Sequence, residues 1–195
     1  MAEPRIVDPH DPVMTGENSF IRLSGDGGNT IDDRCSHWRV LWSPAGPGHA
    51  MFVESSLLKG IHLYSDNAGM ARFLQRTIES LLYPAFADTK IPVLDAQFSR
   101  SGDPRSTTSE TVISVTDHIA LTWYDCLEPF VLTMAPGMGN RPIGVFSTFF
   151  PAKSAQIEVN GRFAPDSPWL EMRGDRQSSS ACLAWSETWV KPRGA

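Results

Sequence analysis

The sequence predicts a mainly β protein, an antiparallel β-barrel or two-layer β-sandwich of about ten strands with one amphipathic α-helix near residues 67–83. Three observations predict it. Past residue 90, apolar and polar residues alternate with period two in segment after segment, as in Glu110 to Thr116 (ETVISVT) and Ile119 to Cys126 (IALTWYDC). Helical spacing of apolar residues is clear in one place, between Asn67 and Tyr83. Strands and helices therefore do not alternate, which excludes a doubly wound α/β fold, and so many strands are expected to close or to pack in two layers to hide their edges.

The elements follow in order. Residues 1–18 hold Pro4, Pro9, Pro12 and Gly16 among charged residues and are expected to form an extended N-terminal arm, with residues 19–195 as a single β-rich domain. A homodimer formed through that arm is the expectation for self-association. Asn18 to Leu23 reads as a short strand, and Ser24 to Asp33 (SGDGGNTIDD) as a loop with positions free for positive φ. That loop lacks the G-x-G-x-x-G spacing and the downstream Lys-Ser/Thr of a phosphate cradle. His37 to Trp42 and Ala50 to Val53 read as paired strands around the turn SPAGPGH, and Gly60 to Tyr64 as a further strand.

The helix has Met70, Phe73, Leu74, Ile78, Leu81 and Leu82 on one face and Arg72, Gln75, Arg76 and Glu79 on the other. Asp66 or Ser65 is the expected N-cap, and Pro84 stops the helix because the residue before a proline leaves helical geometry. Such a helix covers a sheet or a barrel mouth, and it is expected near one end of the barrel, beside the pocket. The strands Val93 to Arg100, Glu110 to Thr116, Ile119 to Cys126 and Phe130 to Met134 then form a meander. A Gly- and Pro-rich loop, Ala135 to Pro142, precedes strands at Ile143 to Phe150 and Ala155 to Val159. Asn160-Gly161 is a strong hairpin signal, since both central positions of a type I′ turn need positive φ. Pro165 to Ser179 reads as a loop, and Ala181 to Val190 as the last strand.

Composition narrows the function classes. In 195 residues, 41% are hydrophobic and 20% charged, an ordinary globular balance. A net charge of −5 argues against nucleic acid and anionic membrane as partners. No basic stretch leads into an apolar run at the N-terminus and no apolar run is long enough to span a bilayer, so a cytoplasmic protein is expected. Cys35, Cys126 and Cys182 are far apart and read as reduced, mostly buried thiols. The histidines form no ligand-spaced pair and no G-x-S-x-G elbow occurs, so neither a metal nor any other cofactor is expected.

Two groupings of polar strand residues are candidates for acid–base chemistry. His62 and Tyr64 share one face of a strand, with Asp66 close by, and an imidazole beside a phenol can relay a proton to a bound carbonyl or hydroxyl. On a later strand, Tyr124 and Cys126 share one face and Trp123 and Asp125 the other, and a carboxyl held against apolar surroundings takes a raised pKa that suits a general base. The alternatives are that His62 and Tyr64 face solvent and that Asp125 simply ends its strand. The aromatic supply suggests an apolar pocket lined by Trp38, Trp42, Trp123, Phe149 and Trp185. The functional expectation is therefore a small-molecule-binding barrel or sandwich whose partner is a small organic ligand. Its rivals are a cofactor-independent lyase, isomerase or hydratase using His62, Tyr64, Tyr124 and Asp125, and a structural protein without a pocket.

Overall fold

A computed structural model describes residues 8–194. Nine strands close into a barrel in the order β1 (His10–Leu23), β2 (Asp33–Trp42), β3 (Gly48–Glu54), β4 (Ile61–Ser65), β5 (Val93–Asp103), β6 (Thr107–Ser114), β7 (His118–Cys126), β9 (Gly144–Val159) and β13 (Ala181–Pro192), which returns to β1. Alternating up and down directions cannot close an odd number of strands, so one neighbouring pair must be parallel. That pair is β4 and β5, with Leu63 opposite Val93 and Ser65 opposite Asp95. A parallel pair needs a crossover of a dozen or more residues, and the helix supplies it. The expected antiparallel sheet therefore holds for every barrel pairing except this one.

The 16-residue strand β9 makes closure possible. Its second half pairs with β7, while its first half pairs with β13 on one edge and with β8 (Phe130–Met134) on the other. At Asn160 and Gly161, φ values of 53° and 78° make the expected tight turn, into the two-residue β10 (Arg162–Phe163).

Side chains from all nine wall strands fill the interior, among them Ile21, Cys35, Met51, Tyr64, Ala96, Val112, Leu121, Ile157 and Leu183. Trp123 lies in this interior and donates its indole N–H to the Phe20 carbonyl at 3.1 Å.

The helix begins at α1 (Ala68–Leu74), passes through a π-turn at Gln75–Glu79 and ends at α2 (Ser80–Leu82), close to the predicted span. Its N-cap is Asn67, whose side-chain oxygen accepts from the Met70 N–H at 3.1 Å. Neither proposed cap fills that role: Asp66 is drawn away to the backbone and ring of His49, and the Ser65 hydroxyl donates to the His49 carbonyl. The apolar face packs on the outside of the barrel, where Met70, Leu74 and Ile78 meet Trp38, Ala50, Phe52 and Leu63. The helix is thus a brace on the outer wall and not a cover over a barrel mouth. Period-two alternation gives β2 to β4 two apolar faces, and the second face needs this cover.

Two further expectations are corrected. The N-terminal arm was placed at 1–18, but β1 starts at His10 and pairs with both β13 and β2, so 10–18 is barrel wall, while 1–7 lies outside the described residues. The segment Pro165 to Ser179, read as a loop, contains a hairpin of β11 (Leu170–Arg173) and β12 (Arg176–Ser179). Its two-residue turn has Gly174 first, at φ 64°, the position that a type II′ turn reserves for glycine. No helix among the described residues is long and apolar enough to cross a membrane.

Candidate functional site

The sequence-predicted acid–base residues lie apart. His62 and Tyr64 do share a face, inside the barrel near its β6–β7 end, where the Tyr64 hydroxyl donates to Asp117 at 2.8 Å and stands 3.1 Å from the His62 ring. Asp117 also accepts from Thr116. Tyr64 is buried in the packed interior, while His62 and Asp117 are half-buried at its rim and Thr116 is exposed. Burial, with Asp117 as a neighbour, pushes the Tyr64 phenol far up, so it serves as a hydrogen-bond donor at any ordinary pH.

Tyr124 and Asp125 sit at the opposite end of β7. Asp125 takes φ 54°, which interrupts the alternation, and its exposed carboxylate accepts from Ser154 at 2.9 Å. Asp125 is thus an exposed irregularity within β7 and not a carboxyl held against apolar surroundings, and it does not end the strand, since Cys126 still pairs with Ala152. The predicted aromatic lining is equally scattered. Trp38 is under the helix, Trp42 is on the surface, and Trp123 and Trp185 are inside the barrel, which leaves Phe149 beside a ligand-sized opening.

Near the other barrel mouth the interior is charged. Glu110 is fully buried and bound by Arg100, which also reaches Glu17 at 2.6 Å; Arg39 and His37 stand 3.7 and 3.8 Å from Glu110. Trp185 stacks on the Arg100 guanidinium and Phe98 on the His49 ring. Burial, reinforced by His49, Arg100 and Arg39, drives the His37 pKa well down, and burial raises that of Glu110 against the pull of Arg100. Two arginines balance two glutamates here, so the layer reads as a neutral structural network.

The opening that fits a ligand lies outside the barrel, between its wall and the end of the helix. It is a cleft of about 170 Å³ over the outer faces of β1, β8, β9 and β13. Phe20, Phe149, Leu132 and Met134 form an apolar wall, with Phe20 and Phe149 edge to face at 6.1 Å. Leu82 and Tyr83, at the end of the helix, form the opposite side. Three guanidiniums line it: Arg22 from β1, Arg141 from the 135–142 loop and Arg173 from the β11–β12 hairpin. Arg22 and Arg173 share one carboxylate, Glu171, at 2.9 and 3.1 Å, and each leaves its buried Nε unpartnered. Arg173 also lies over the Phe20 and Phe149 rings at 5.8 and 5.2 Å.

The floor is acidic and built by two backbone irregularities. Between Trp185 and Thr188, β13 slips register against β9, with Ser186 at φ 53°. Strict alternation would put Glu187 inside with Trp185. The bulge instead turns it outward into the cleft, where it is 3% exposed and accepts from the Trp189 indole. Behind it, the π-turn carries Glu79, bound by the Ser36 hydroxyl and the Trp38 indole. Asn18, which lines the cleft, donates to the same Ser36 hydroxyl at 2.8 Å. Burial pushes Glu187 up to about 8, against the Trp189 hydrogen bond and with help from Glu79, and burial pushes Glu79 up to about 7. β-Bulges and π-turns are both over-represented beside functional sites.

Sequence reasoning named Phe149 in this site and missed the rest. The Gly-first turn of the β11–β12 hairpin was the available signal for Arg173, and no local pattern marks Glu187. No family model, curated protein or solved structure matches the chain, so the functional reading rests on this geometry.

Proposed function

We propose that the protein binds a small organic anion with an aromatic or compact apolar body in the lateral cleft. The observation that carries this reading is three arginines beside an apolar wall, with Glu171 shared by Arg22 and Arg173, while buried Glu187 stays largely neutral at pH 7. One carboxylate shared by two of three guanidiniums leaves an excess of positive charge, which favours a carboxylate ligand that two N–H groups of one arginine can hold side by side. Phe20, Leu132, Met134 and Phe149 then cover the apolar body. At about 170 Å³ the cleft has room for the aromatic ring, since an engineered cavity of ~150 Å³ holds benzene. The ligand class is therefore an arylalkanoate. This is more polar than the apolar pocket expected from composition, because Arg141 and Arg173 come from segments read as loops and Arg22 meets them only through the fold.

Isothermal titration with 3-phenylpropionate tests the reading. The wild type binds it, and replacing Arg141 by Ala weakens binding about tenfold or more, the scale of one charge-assisted hydrogen bond. No heat and no competition by other arylalkanoates at millimolar concentration would contradict it.

A further inference from the structure

The cleft holds more than binding requires. Anion capture is served by the arginines and the aromatic wall, yet the floor presents a carboxyl group that binding alone would disfavour. Glu187 reaches it only because the Ser186 bulge reverses the side on which β13 displays its residues. Across the cleft, the Tyr83 hydroxyl has no hydrogen-bond partner among the described residues, although Tyr83 lines the same space. Arg22, Arg141 and Arg173 line the same cleft as Tyr83. A carboxyl group and a phenol O–H lining one cleft with guanidiniums supply what proton transfer next to a carbonyl needs: a base for the C–H and donors for the oxygen.

We infer that the cleft is a cofactor-independent keto–enol isomerase site for arylalkanoates bearing a ketone, with Glu187 as the proton-transferring base and Tyr83 as the hydrogen-bond donor to the carbonyl oxygen. The inference rests on the binding reading above. In the step, one oxygen of the Glu187 carboxylate takes the proton from the carbon between the ring and the ketone. The C–H electron pair becomes the C=C bond and the C=O π pair moves onto oxygen, where Tyr83 and a guanidinium hold the developing charge. The Glu187 carboxylic acid then gives the same proton to that oxygen, so that one C–H bond and one C=O π bond are exchanged for one O–H bond and one C=C bond. The carboxylate is restored and no co-reactant is consumed. The other titratable and charged groups around Glu187 are Glu79 and Tyr83 from the helix and its end, Glu17 and Arg22 from β1, Arg173 from the hairpin and Arg141 from the loop.

The experiment uses phenylpyruvate in D₂O and follows loss of its C3 proton signal by NMR, alongside titration of 3-phenylpropionate, which lacks the ketone. The wild type speeds exchange about 100-fold over E187Q, the usual scale of a general base, and both proteins bind 3-phenylpropionate. At saturating phenylpyruvate the wild-type rate rises with pH through about 8, as a base with the Glu187 ionisation requires, whereas the residual E187Q rate does not follow that curve. Y83F binds the probe and exchanges more slowly, which separates chemistry from folding. Binding of 3-phenylpropionate by both proteins with equal exchange in wild type and E187Q would overturn the isomerase inference and leave the binding reading standing. Absence of binding by the wild type would overturn both.

Discussion

Stability that falls as pH rises from 6.5 to 8.5 is a direct consequence of the two buried carboxyl groups, and Glu187→Gln is the perturbation that isolates it. Burial raises Glu187 from 4.5 to about 8 and Glu79 from 4.5 to about 7. In the unfolded chain both are ionised throughout this range, so the folded state binds more protons and loses stability as they leave. The contribution is complete below the unfolded value and is lost as pH climbs through the folded values. Integrated between pH 8.5 and 6.5, Glu187 accounts for about 2 kcal/mol and Glu79 for about 1 kcal/mol. His37 works in the opposite direction, because it is held neutral by burial while the unfolded imidazole charges below 6.5. Down to pH 6.5 it removes less than about 0.5 kcal/mol. The expected net gain on lowering pH is therefore about 2–3 kcal/mol. Urea unfolding followed by tryptophan fluorescence at pH 6.5, 7.5 and 8.5 measures it as a shift in midpoint at constant slope. In Glu187→Gln the gain shrinks to about 1 kcal/mol or less. A midpoint that is flat or rises with pH, or a variant that keeps the full wild-type dependence, would refute the assignment of neutral buried acids at the cleft floor.

Other outcomes follow from the same geometry. Glu110→Ala leaves Arg100, Arg39 and His37 facing no buried carboxylate on β6, and thermal denaturation should show a loss of about 3–5 kcal/mol. Gly16→Ala drives a Cβ to 2.2 Å from the Arg39 carbonyl oxygen where β1 slips register against β2, so it should destabilise by at least about 1–3 kcal/mol in the same assay. Tyr64→Phe loses the hydrogen bond to Asp117, about 1 kcal/mol of stability, and leaves 3-phenylpropionate affinity unchanged because Tyr64 faces the barrel interior. Affinity for that probe should fall as pH rises through about 8, because ionised Glu187 repels the anion; calorimetry across pH 6.5 to 9 reads it.

The parts of the structure that were legible in the sequence are those governed by short-range periodicity. The helix was visible because Met70, Leu74 and Ile78 recur at helical spacing and Pro84 cannot continue it. Asn160-Gly161 was visible because few residue pairs accept two positive φ values. The mainly β class followed from alternation, but alternation says nothing about which face is interior, so Trp38 on the outer wall and Trp123 inside look alike. The cleft was hidden for a different reason. Its residues come from β1, the helix end, β8, the 135–142 loop, β9, the β11–β12 hairpin and β13, segments brought together only by barrel closure. Its acid is placed by a bulge at Ser186, a residue with no composition cue for positive φ, and one such slip inverts every orientation downstream of it. His62 and Tyr64 were correctly put on one face, and only the packing shows that this face is filled.

The proposed ligand site lies on the outside of the barrel, between the wall and the end of the helix, and not in the barrel interior. Methyl-resolved NMR during titration with 3-phenylpropionate tests it directly. Leu82, Leu132, Met134 and Val145 line the cleft, whereas Ile21, Leu121, Ile157 and Leu183 fill the interior. Binding in the cleft gives saturable shifts in the first set with the second set unmoved; saturable shifts centred on the interior methyls, with the cleft methyls silent, would rule the cleft out.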